Sequence, residues 1–497
     1  MFVSEKILVG KTGDGKTAEI LPKRANRHGL ITGASGSGKT VTLKVLAESF
    51  SAAGIPVFLT DVKGDLAGMS QPGEFSDKIK ERVEGLKLEG YKNQSFPTQY
   101  FDMDGKNGHP IRTTVSSVGP RLLSRLLSLS DAQEEILGII FKISAEEHLE
   151  LDNLDDLNSL LSYVDSKRQE YSVKYGNISP QSLTTIRRAV MNFKETGDSF
   201  FGEPAFDIHD LLRVEPGTGR GFINVLDAQN LFKNPTTYVT VLLWLLTTVY
   251  NEMPEVGDLD RPKLIFFLDE AHLIFSEMND GVIKQLTQIV KLIRSKGVGL
   301  YFVSQSPSDI KDEILSQLGN RVQHVLRAYT KTDEKSITAA ANGFRKNPNF
   351  NTEEMIKMLA TGEALVSFQT EKGEPSIVEK VTILPPESRM GTITDDERQL
   401  AIKQNSLYGK YENATNDDSA AEKIERKNEE TRREKEAEAA RLEKEKEEAK
   451  RAKEAAKSAP RATTSRAKKS TAEKVADKMI DKTINKLTSK LINNLFK

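Results

Sequence analysis

Apolar residues along this chain follow two alternating patterns. Short runs that are apolar almost throughout occupy residues 28–32, 55–61, 221–226, 263–268 and 299–305. Between these runs, apolar residues recur every three or four positions, which is typical of amphipathic helices. Buried strands that alternate with helices indicate a mainly parallel sheet covered on both faces, so the pattern predicts an α/β fold.

Weaker patterns extend this sheet at its two ends. Residues 1–26 read as a short leader that forms a strand pair around Gly13-Asp14-Gly15. Further strands are predicted at residues 321–327, 364–369 and 381–384. Pro385 and Pro386 end the alternation, and we therefore predict a first domain over residues 1–390.

A long stretch inside this domain has no strand pattern. Residues 66–220 are mostly amphipathic, and we predict that they form a helical insertion packed on the sheet. Residues 238–250 form the longest apolar run, which is too short to span a bilayer and predicts a buried helix.

The composition changes sharply beyond residue 390. Residues 391–419 read as a linker and residues 420–459 as a charged single helix, since opposite charges lie three and four residues apart. Residues 460–470 read as a basic linker. Residues 471–497 predict an amphipathic basic helix that binds a partner helix, self-associates or lies on an anionic membrane surface. A partner helix is the preferred interpretation.

Composition excludes several kinds of site. The chain has 497 residues and a net charge of −1, and it contains no cysteine. Disulfides, thiolate zinc sites, iron–sulfur clusters and a cysteine nucleophile are therefore excluded. The first residues lack the apolar core of a signal peptide. We expect a cytoplasmic protein with two or three domains.

The most specific motif directly follows the first apolar run. Gly33-Ala34-Ser35-Gly36-Ser37-Gly38-Lys39-Thr40 fills every position of a phosphate-binding loop, and a helix pattern starts at Val41. In such a loop the backbone N–H groups surround phosphates, the lysine reaches the β- and γ-phosphates, and the threonine hydroxyl holds Mg²⁺. A chance glycine-rich turn is the alternative. The predicted nucleotide-binding residues are Gly33, Ala34, Ser35, Gly36, Ser37, Gly38, Lys39, Thr40 and Val41.

Hydrolysis requires further groups at the strand ends, where a parallel sheet places its site. Asp269 and Glu270 follow the run 264–268, so Asp269 is a candidate Mg²⁺ ligand and Glu270 a candidate base for water. A helix-capping acid pair is the alternative. Gln305 ends the next run and is a candidate γ-phosphate sensor.

For four more charged residues the sequence allows more than one role. Asp61 and Lys63 end the strand predicted beside the loop, where they face the phosphates or a neighbouring subunit, or stabilise a turn. Arg321 and Arg327 flank another strand, and either is a candidate for the arginine that ring ATPases insert into an adjacent subunit. Surface ion pairing is the alternative for both arginines.

The order of these motifs resembles the HerA–FtsK superfamily of RecA-like motor ATPases. The resemblance covers residues 1–390, and it rests on the loop at 33–40, on 61–65, on the 268–272 segment Leu-Asp-Glu-Ala-His, and on 304–305. The chain is most similar to bacterial HerA-like ATPases with a charged C-terminal tail. The resemblance implies ATP and Mg²⁺ as ligands and a hexameric ring that moves double-stranded DNA through its centre.

One departure and one rival hypothesis qualify this resemblance. HerA proteins usually carry a small β-barrel before the loop, whereas this chain has about 30 residues there, which argues against a role in DNA-end resection. The rival hypothesis is a nucleotide-switched scaffold that engages a protein or a membrane through its tail. We therefore carry two hypotheses, a DNA motor and a switched scaffold.

Overall fold

The computed structural model of the protein describes residues 1–3, 5–277, 280–415 and 418–458. Its contacts divide the chain into two units, Met1–Asp417 and Asp418–Lys497, and each is described by itself. The predicted basic linker 460–470 and amphipathic helix 471–497 lie outside the described residues.

The first unit is built on a single mixed sheet of thirteen strands in the described part of the chain. The strands are β1 Phe2–Val3, β2 Lys6–Thr12, β3 Thr17–Ile20, β4 Gly29–Thr32, β5 Val57–Asp61, β6 Thr98–Asp102, β7 His109–Pro110, β8 Ile223–Asp227, β9 Leu264–Leu268, β10 Val298–Ser304, β11 Asn320–Gln323, β12 Glu363–Ser367 and β13 Glu379–Ile383.

Helices connect these strands and cover the sheet. They are α1 Lys39–Ala52, α2 Asp77–Gly85, α3 Val115–Leu126, α4 Asp131–Glu146, α5 Leu154–Ser166, α6 Arg168–Tyr175, α7 Pro180–Gly197, α8 Pro235–Glu252, α9 His272–Glu277, α10 Asp280–Leu292, α11 Asp312–Leu315, α12 Lys331–Asn342, α13 Thr352–Met358 and α14 Asp395–Gln404. The described part of the second unit is one helix, α15 Ala420–Ser458. None of these helices is long and apolar enough to cross a lipid bilayer.

The strand order explains where a site can form. Strands run in the order β1-β2-β13-β12-β11-β4-β10-β9-β5-β8-β6-β7, with β3 paired to β2. From β11 to β7 every pairing is parallel, whereas β12, β13, β2 and β3 pair antiparallel. Ends of parallel strands meet at one edge, so β4, β5, β9 and β10 deliver their C-terminal residues to a common place.

The central strands confirm the α/β prediction made from the continuous apolar runs. Every residue of β4, β5, β8, β9 and β10 is buried, because layers of structure cover both faces of the sheet. The strand pair of the leader is also present as β2 and β3. The apolar run 238–250 lies in α8 and is largely buried, as predicted.

The predicted helical insertion at 66–220 also contains two strands of the main sheet, which the pattern did not indicate. β6 pairs with β8 and β7 pairs with β6, both in parallel. β6 is not a continuous apolar run because it contains Gln99. The side-chain amide of Gln99 donates to Asn224 Oδ1 at 2.6 Å and accepts from Arg213 at 2.7 Å. Polar side chains that are paired in this way can occupy a buried strand.

The prediction that residues 391–419 form a linker is wrong over most of that range. It contains α14, and it buries Ile393, Ile402 and Tyr411. The guanidinium of Arg398 on α14 stacks 5.1 Å from the ring centre of Tyr100 on β6. Since this segment packs on the sheet, the first unit extends beyond residue 390 to Asp417.

Candidate active site

The phosphate-binding loop connects the C-terminal end of β4 to α1. Gly33, Gly36 and Gly38 have φ values of 154°, 73° and 112°, which only glycine adopts readily. A Cβ atom on Gly33 would lie 2.5 Å from the Cβ of His324 and 2.8 Å from Ser37 Oγ. Within the described residues, the buried Ser37 hydroxyl has no hydrogen-bond partner. The loop therefore packs tightly against His324 and carries one unpaired polar atom, the hydroxyl oxygen of Ser37.

The lysine of the loop folds back over it. Lys39 Nζ donates to the carbonyl oxygens of Gly33 at 2.7 Å and Ala34 at 3.1 Å. Burial lowers the pKa of Lys39, and the nearby Glu270 carboxylate acts in the opposite direction. The ammonium group thus lies at the centre of the loop, with two neutral oxygens as its ligands.

The acid pair lies at the end of the neighbouring strand β9. Burial, reinforced by the charge of Glu270, raises the pKa of Asp269 to about 6. Glu270 has a φ of 49°, an unusual value for a residue other than glycine, and its N–H donates to Asp269 Oδ1 at 2.9 Å. Tyr238 on α8 donates to the backbone carbonyl of Asp269 at 2.9 Å, which fixes this turn.

The side chains of Lys63 and Asp61 have separate roles. Lys63 Nζ forms an ion pair with Glu270 Oε1 at 3.0 Å, and the two side chains are 56% and 12% exposed. Asp61 instead accepts N–H bonds from four residues of its own turn, among them Gly64 at 2.7 Å and Ala67 at 3.1 Å. Lys63 therefore faces the acid pair, whereas Asp61 stabilises the turn that carries Lys63.

Gln305 follows β10 directly. Ser304 pairs with Thr32 in the sheet, so Gln305 lies level with Gly33, at the start of the loop. Its side chain is exposed at this edge of the sheet. The position agrees with the one predicted for a phosphate sensor, and the role itself stays a prediction.

The two candidate arginines differ in their surroundings. The guanidinium of Arg321 donates to the backbone oxygens of Leu315, Leu318 and Gly343, at 2.8 to 3.0 Å, and burial lowers its pKa. These bonds occupy the guanidinium of Arg321 within its own chain, which argues against its insertion into a neighbour. Arg327 is exposed, two residues after Val325, whose carbonyl accepts the N–H of Ala34.

A cavity of about 430 Å³ joins the loop to the acid pair. It is lined by Ser35, Gly36, Gly38, Lys39, Thr40, Val41, Lys44, Lys63, Asp65, Asp269, Thr361, Met390 and Gly391. Six of the nine predicted loop residues and Asp269 thus line one cavity, whereas Gly33, Ala34, Ser37, Glu270 and Gln305 are not among its lining. Thr361, Met390 and Gly391 come from distant parts of the chain and were not anticipated.

Comparison with known proteins identifies the family of this chain. The family model described as "Helicase HerA-like C-terminal" matches residues 6–497. The chain belongs to this family. It is a P-loop ATPase with an α/β fold.

Individual relatives are distant. The "DNA double-strand break repair helicase HerA" of Sulfurisphaera tokodaii is 23% identical over 381 residues, which are 74% of this chain and 67% of that protein. The protein of the same description from Saccharolobus solfataricus is 25% identical over 359 residues, or 68% and 61% of the two chains. These matches therefore leave about a third or more of each relative uncovered.

Solved structures also align with most of the chain. The bacterial conjugative coupling protein TrwBdeltaN70 has a TM-score of 0.47 at 17% identity, over 79% of this chain and 91% of that one. VirB4 of Thermoanaerobacter pseudethanolicus also has a TM-score of 0.47 at 17% identity, over 77% and 97%.

The residues of this HerA-like ATPase fit a nucleotide with Mg²⁺. The unpaired Ser37 hydroxyl and the Lys39 ammonium offer donors to an anion. Among the described residues no group of three or more His, Cys, Asp or Glu side chains is arranged so that it could hold a metal ion by itself. Mg²⁺ commonly takes one or two protein oxygens and completes its shell with phosphates and water. Thr40 and Asp269, which line the same cavity, are such a pair.

His324 also lies beside the loop, although no motif in the sequence marks it as a site residue. It follows β11, and its ring bonds Thr42 Oγ1 on α1 at 2.8 Å and the carbonyl of Glu363 at 2.9 Å. Burial lowers the pKa of His324 to about 4, so the ring is neutral near pH 7. The signal that could have found it is a lone imidazole within the apolar run 321–327.

Proposed function

We propose that this HerA-like ATPase is a Mg²⁺-dependent motor that assembles as a ring and uses ATP hydrolysis to move double-stranded DNA. The observation that carries this proposal is the single cavity in which the loop, Lys39 and Asp269 meet, beside the Lys63–Glu270 ion pair. The relatives named as HerA helicases support DNA as the polymer.

The side chains of the site have different roles in the proposed reaction. Lys39 exchanges its two loop carbonyls for phosphate oxygens, which carry full charge and bind an ammonium more strongly. Thr40 and Asp269 hold Mg²⁺, which when bound neutralises charge that develops on the phosphates. Glu270 orients and deprotonates the attacking water after it leaves Lys63, and Gln305 senses the γ-phosphate.

The ring is proposed because no arginine among the described residues lines the cavity of one subunit. Arg327 is exposed beside the loop, and we assign it to the neighbouring copy's nucleotide in a homohexamer. Arg321 is not proposed for this role, since backbone oxygens already hold its guanidinium.

The rate of ATP hydrolysis with and without linear duplex DNA tests this function. We expect duplex DNA to stimulate turnover and the stimulation to fall steeply as salt rises, because phosphate contacts release counterions. Lys39→Ala and Glu270→Gln should abolish turnover with or without DNA. An assembled wild-type protein that hydrolyses ATP equally fast with and without any nucleic acid would refute DNA as the substrate.

A second function is favoured by the separate second unit. The described part of this unit is α15, which is highly charged and carries pairs such as Arg432–Glu436 and Arg441–Glu445 along its surface. We infer that this helix acts as a spacer that presents residues 471–497 to a protein or an anionic membrane surface. Removal of residues 420–497 should then abolish partner or vesicle binding and leave DNA-stimulated hydrolysis unchanged. Binding that survives the truncation would contradict this spacer role.

A further inference from the structure

The nucleotide cavity extends well beyond the part that phosphates require. Lys39 and Asp269 line the cavity at the loop, which we call its first end. Met390 and Gly391 line it beside Lys44, whose Nζ donates to the carbonyl of Arg389, and we call this part its second end. Lys44 follows Lys39 by five residues in α1, which places its backbone about 7.5 Å further along the helix axis. With phosphates at the first end, the second end is the part of the cavity available to a nucleoside.

This second end is formed by a short segment at residues 387–391, which we call the strap. The strap is held to α1 by buried charged groups. The carboxylate of Glu48 accepts the N–H groups of Glu387 at 2.8 Å and Ser388 at 3.1 Å. Lys44 Nζ donates to the carbonyl of Arg389. Glu48 and Lys44 are both buried, so these bonds form away from water, where they hold the strap firmly.

The opposite edge of the strap is fixed to the turn after β5. Gly68 N–H donates to the carbonyl of Gly391 at 3.0 Å, and Arg389 N–H donates to the carbonyl of Gln71 at 2.9 Å. A Cβ atom on Gly68 would lie 2.5 Å from the oxygens of Arg389 and Gly391, so the two segments touch through their backbones. The strap is therefore a rigid wall of the cavity rather than the start of a linker.

One side chain of this rigid wall is left uncovered. Met390 is 53% exposed although its neighbours in the strap, Glu387 and Ser388, are buried. A thioether side chain is apolar and polarisable, and it packs well against aromatic rings. Met390 is exposed, and it lies on a fixed wall beside a phosphate-binding loop. It therefore offers an apolar contact that a nucleobase could cover.

We propose that the strap is the nucleoside subsite of this ATPase and that Met390 packs against the base. Thr361, which precedes β12, lines the same cavity. This inference rests on the proposed function, because it requires that the phosphate end of the cavity holds a nucleoside triphosphate.

Paired binding measurements with ATP and inorganic tripolyphosphate test the subsite. Met390→Ala should weaken ATP binding about tenfold, as expected from the loss of a packed apolar side chain. It should leave tripolyphosphate binding unchanged, since that probe has no base. Met390→Leu should restore ATP affinity to within about twofold, because leucine keeps most of the apolar volume.

The matched control is Met191→Ala on α7. Met191 is 51% exposed, close to the value for Met390, and it does not line the cavity. We expect its substitution to leave both affinities unchanged. A Met390→Ala protein that binds ATP as tightly as the wild type, or that loses ATP and tripolyphosphate equally, would overturn the inference.

A second measurement does not depend on how well a variant folds. Photolabelling of the wild-type protein with 8-azido-ATP should place the label on the peptide that contains Met390. Label found only on peptides away from the strap and Thr361 would contradict the subsite. A wild-type protein that binds neither ATP nor tripolyphosphate would instead refute the proposed function itself.

Discussion

Two buried histidines at opposite ends of β4 allow stability and nucleotide binding to be separated. His324 bonds Thr42 and lies against Gly33 of the loop, whereas His28 precedes β4 and bonds Val290 and Leu300. Each ring makes two buried hydrogen bonds, and burial lowers the pKa of each to about 4. Replacing either by glutamine should lower the free energy of unfolding by about 2 kcal/mol at pH 7.

The pH dependence of stability follows from the same pKa values. Between about pH 6.5 and pH 4 the unfolded chain binds protons that the folded histidines exclude, so the contribution of each histidine to stability is full above pH 6.5 and falls as the pH decreases. Asp269, whose pKa is raised to about 6, acts in the opposite direction and is common to the wild type and both histidine variants. Each histidine should cost about 2 kcal/mol between pH 7 and pH 5. His324→Gln and His28→Gln should each reduce that pH-dependent loss by this amount.

Urea unfolding can be followed through the fluorescence of Trp244, the chain's one tryptophan, which is buried in α8. ATP affinity of the folded protein is measured separately. We expect His324→Gln to weaken ATP binding about tenfold because it releases Thr42 and the support behind Gly33, and His28→Gln to leave it unchanged. Equal effects of both variants on ATP affinity, or a change in stability between pH 7 and pH 5 that is the same in the wild type and in both histidine variants, would refute this reasoning.

Three further outcomes are expected from single substitutions. Gly33→Ala should abolish ATP binding measured by calorimetry, since its Cβ would lie 2.5 Å from His324; retained binding would contradict the packing of the loop. Lys63→Met should change turnover severalfold at saturating ATP, because Lys63 pairs with Glu270. The control Lys6→Met should not change it, because Lys6 pairs with Glu19. Unchanged turnover in Lys63→Met would remove Lys63 from the site. Arg327→Ala should lower turnover at least 10³-fold with ATP affinity little changed. If the turnover of Arg327→Ala subunits stays the same when Lys39→Ala subunits are mixed with them, the result would argue against action between subunits.

The sequence predicts the centre of this molecule well for a clear physical reason. Strands that are buried on both faces must be apolar throughout, so β4, β5, β9 and β10 are visible as runs, and the residues that follow them mark the active edge. The acid pair and the loop were found in this way. Lys63 was recognised as a candidate, but only its contact with Glu270 separates its role from that of Asp61.

The parts that could not be predicted depend on pairings between distant residues. β6 is polar, and its burial is tolerated because Gln99 meets Asn224, 125 positions away. The strap is fixed by Glu48, which precedes it by about 340 positions. Because of this contact, a segment whose composition is typical of a linker forms a wall of the cavity. Local patterns carry no information on such contacts.

The most direct test of the central claim is ATP-driven displacement of a third strand from a triplex on linear duplex DNA. We expect the wild-type protein to displace the strand only with hydrolysable ATP and Mg²⁺, and Glu270→Gln to bind ATP without displacing it. Wild-type protein that hydrolyses ATP on this DNA at full rate and never displaces the third strand would contradict a motor that moves along duplex DNA.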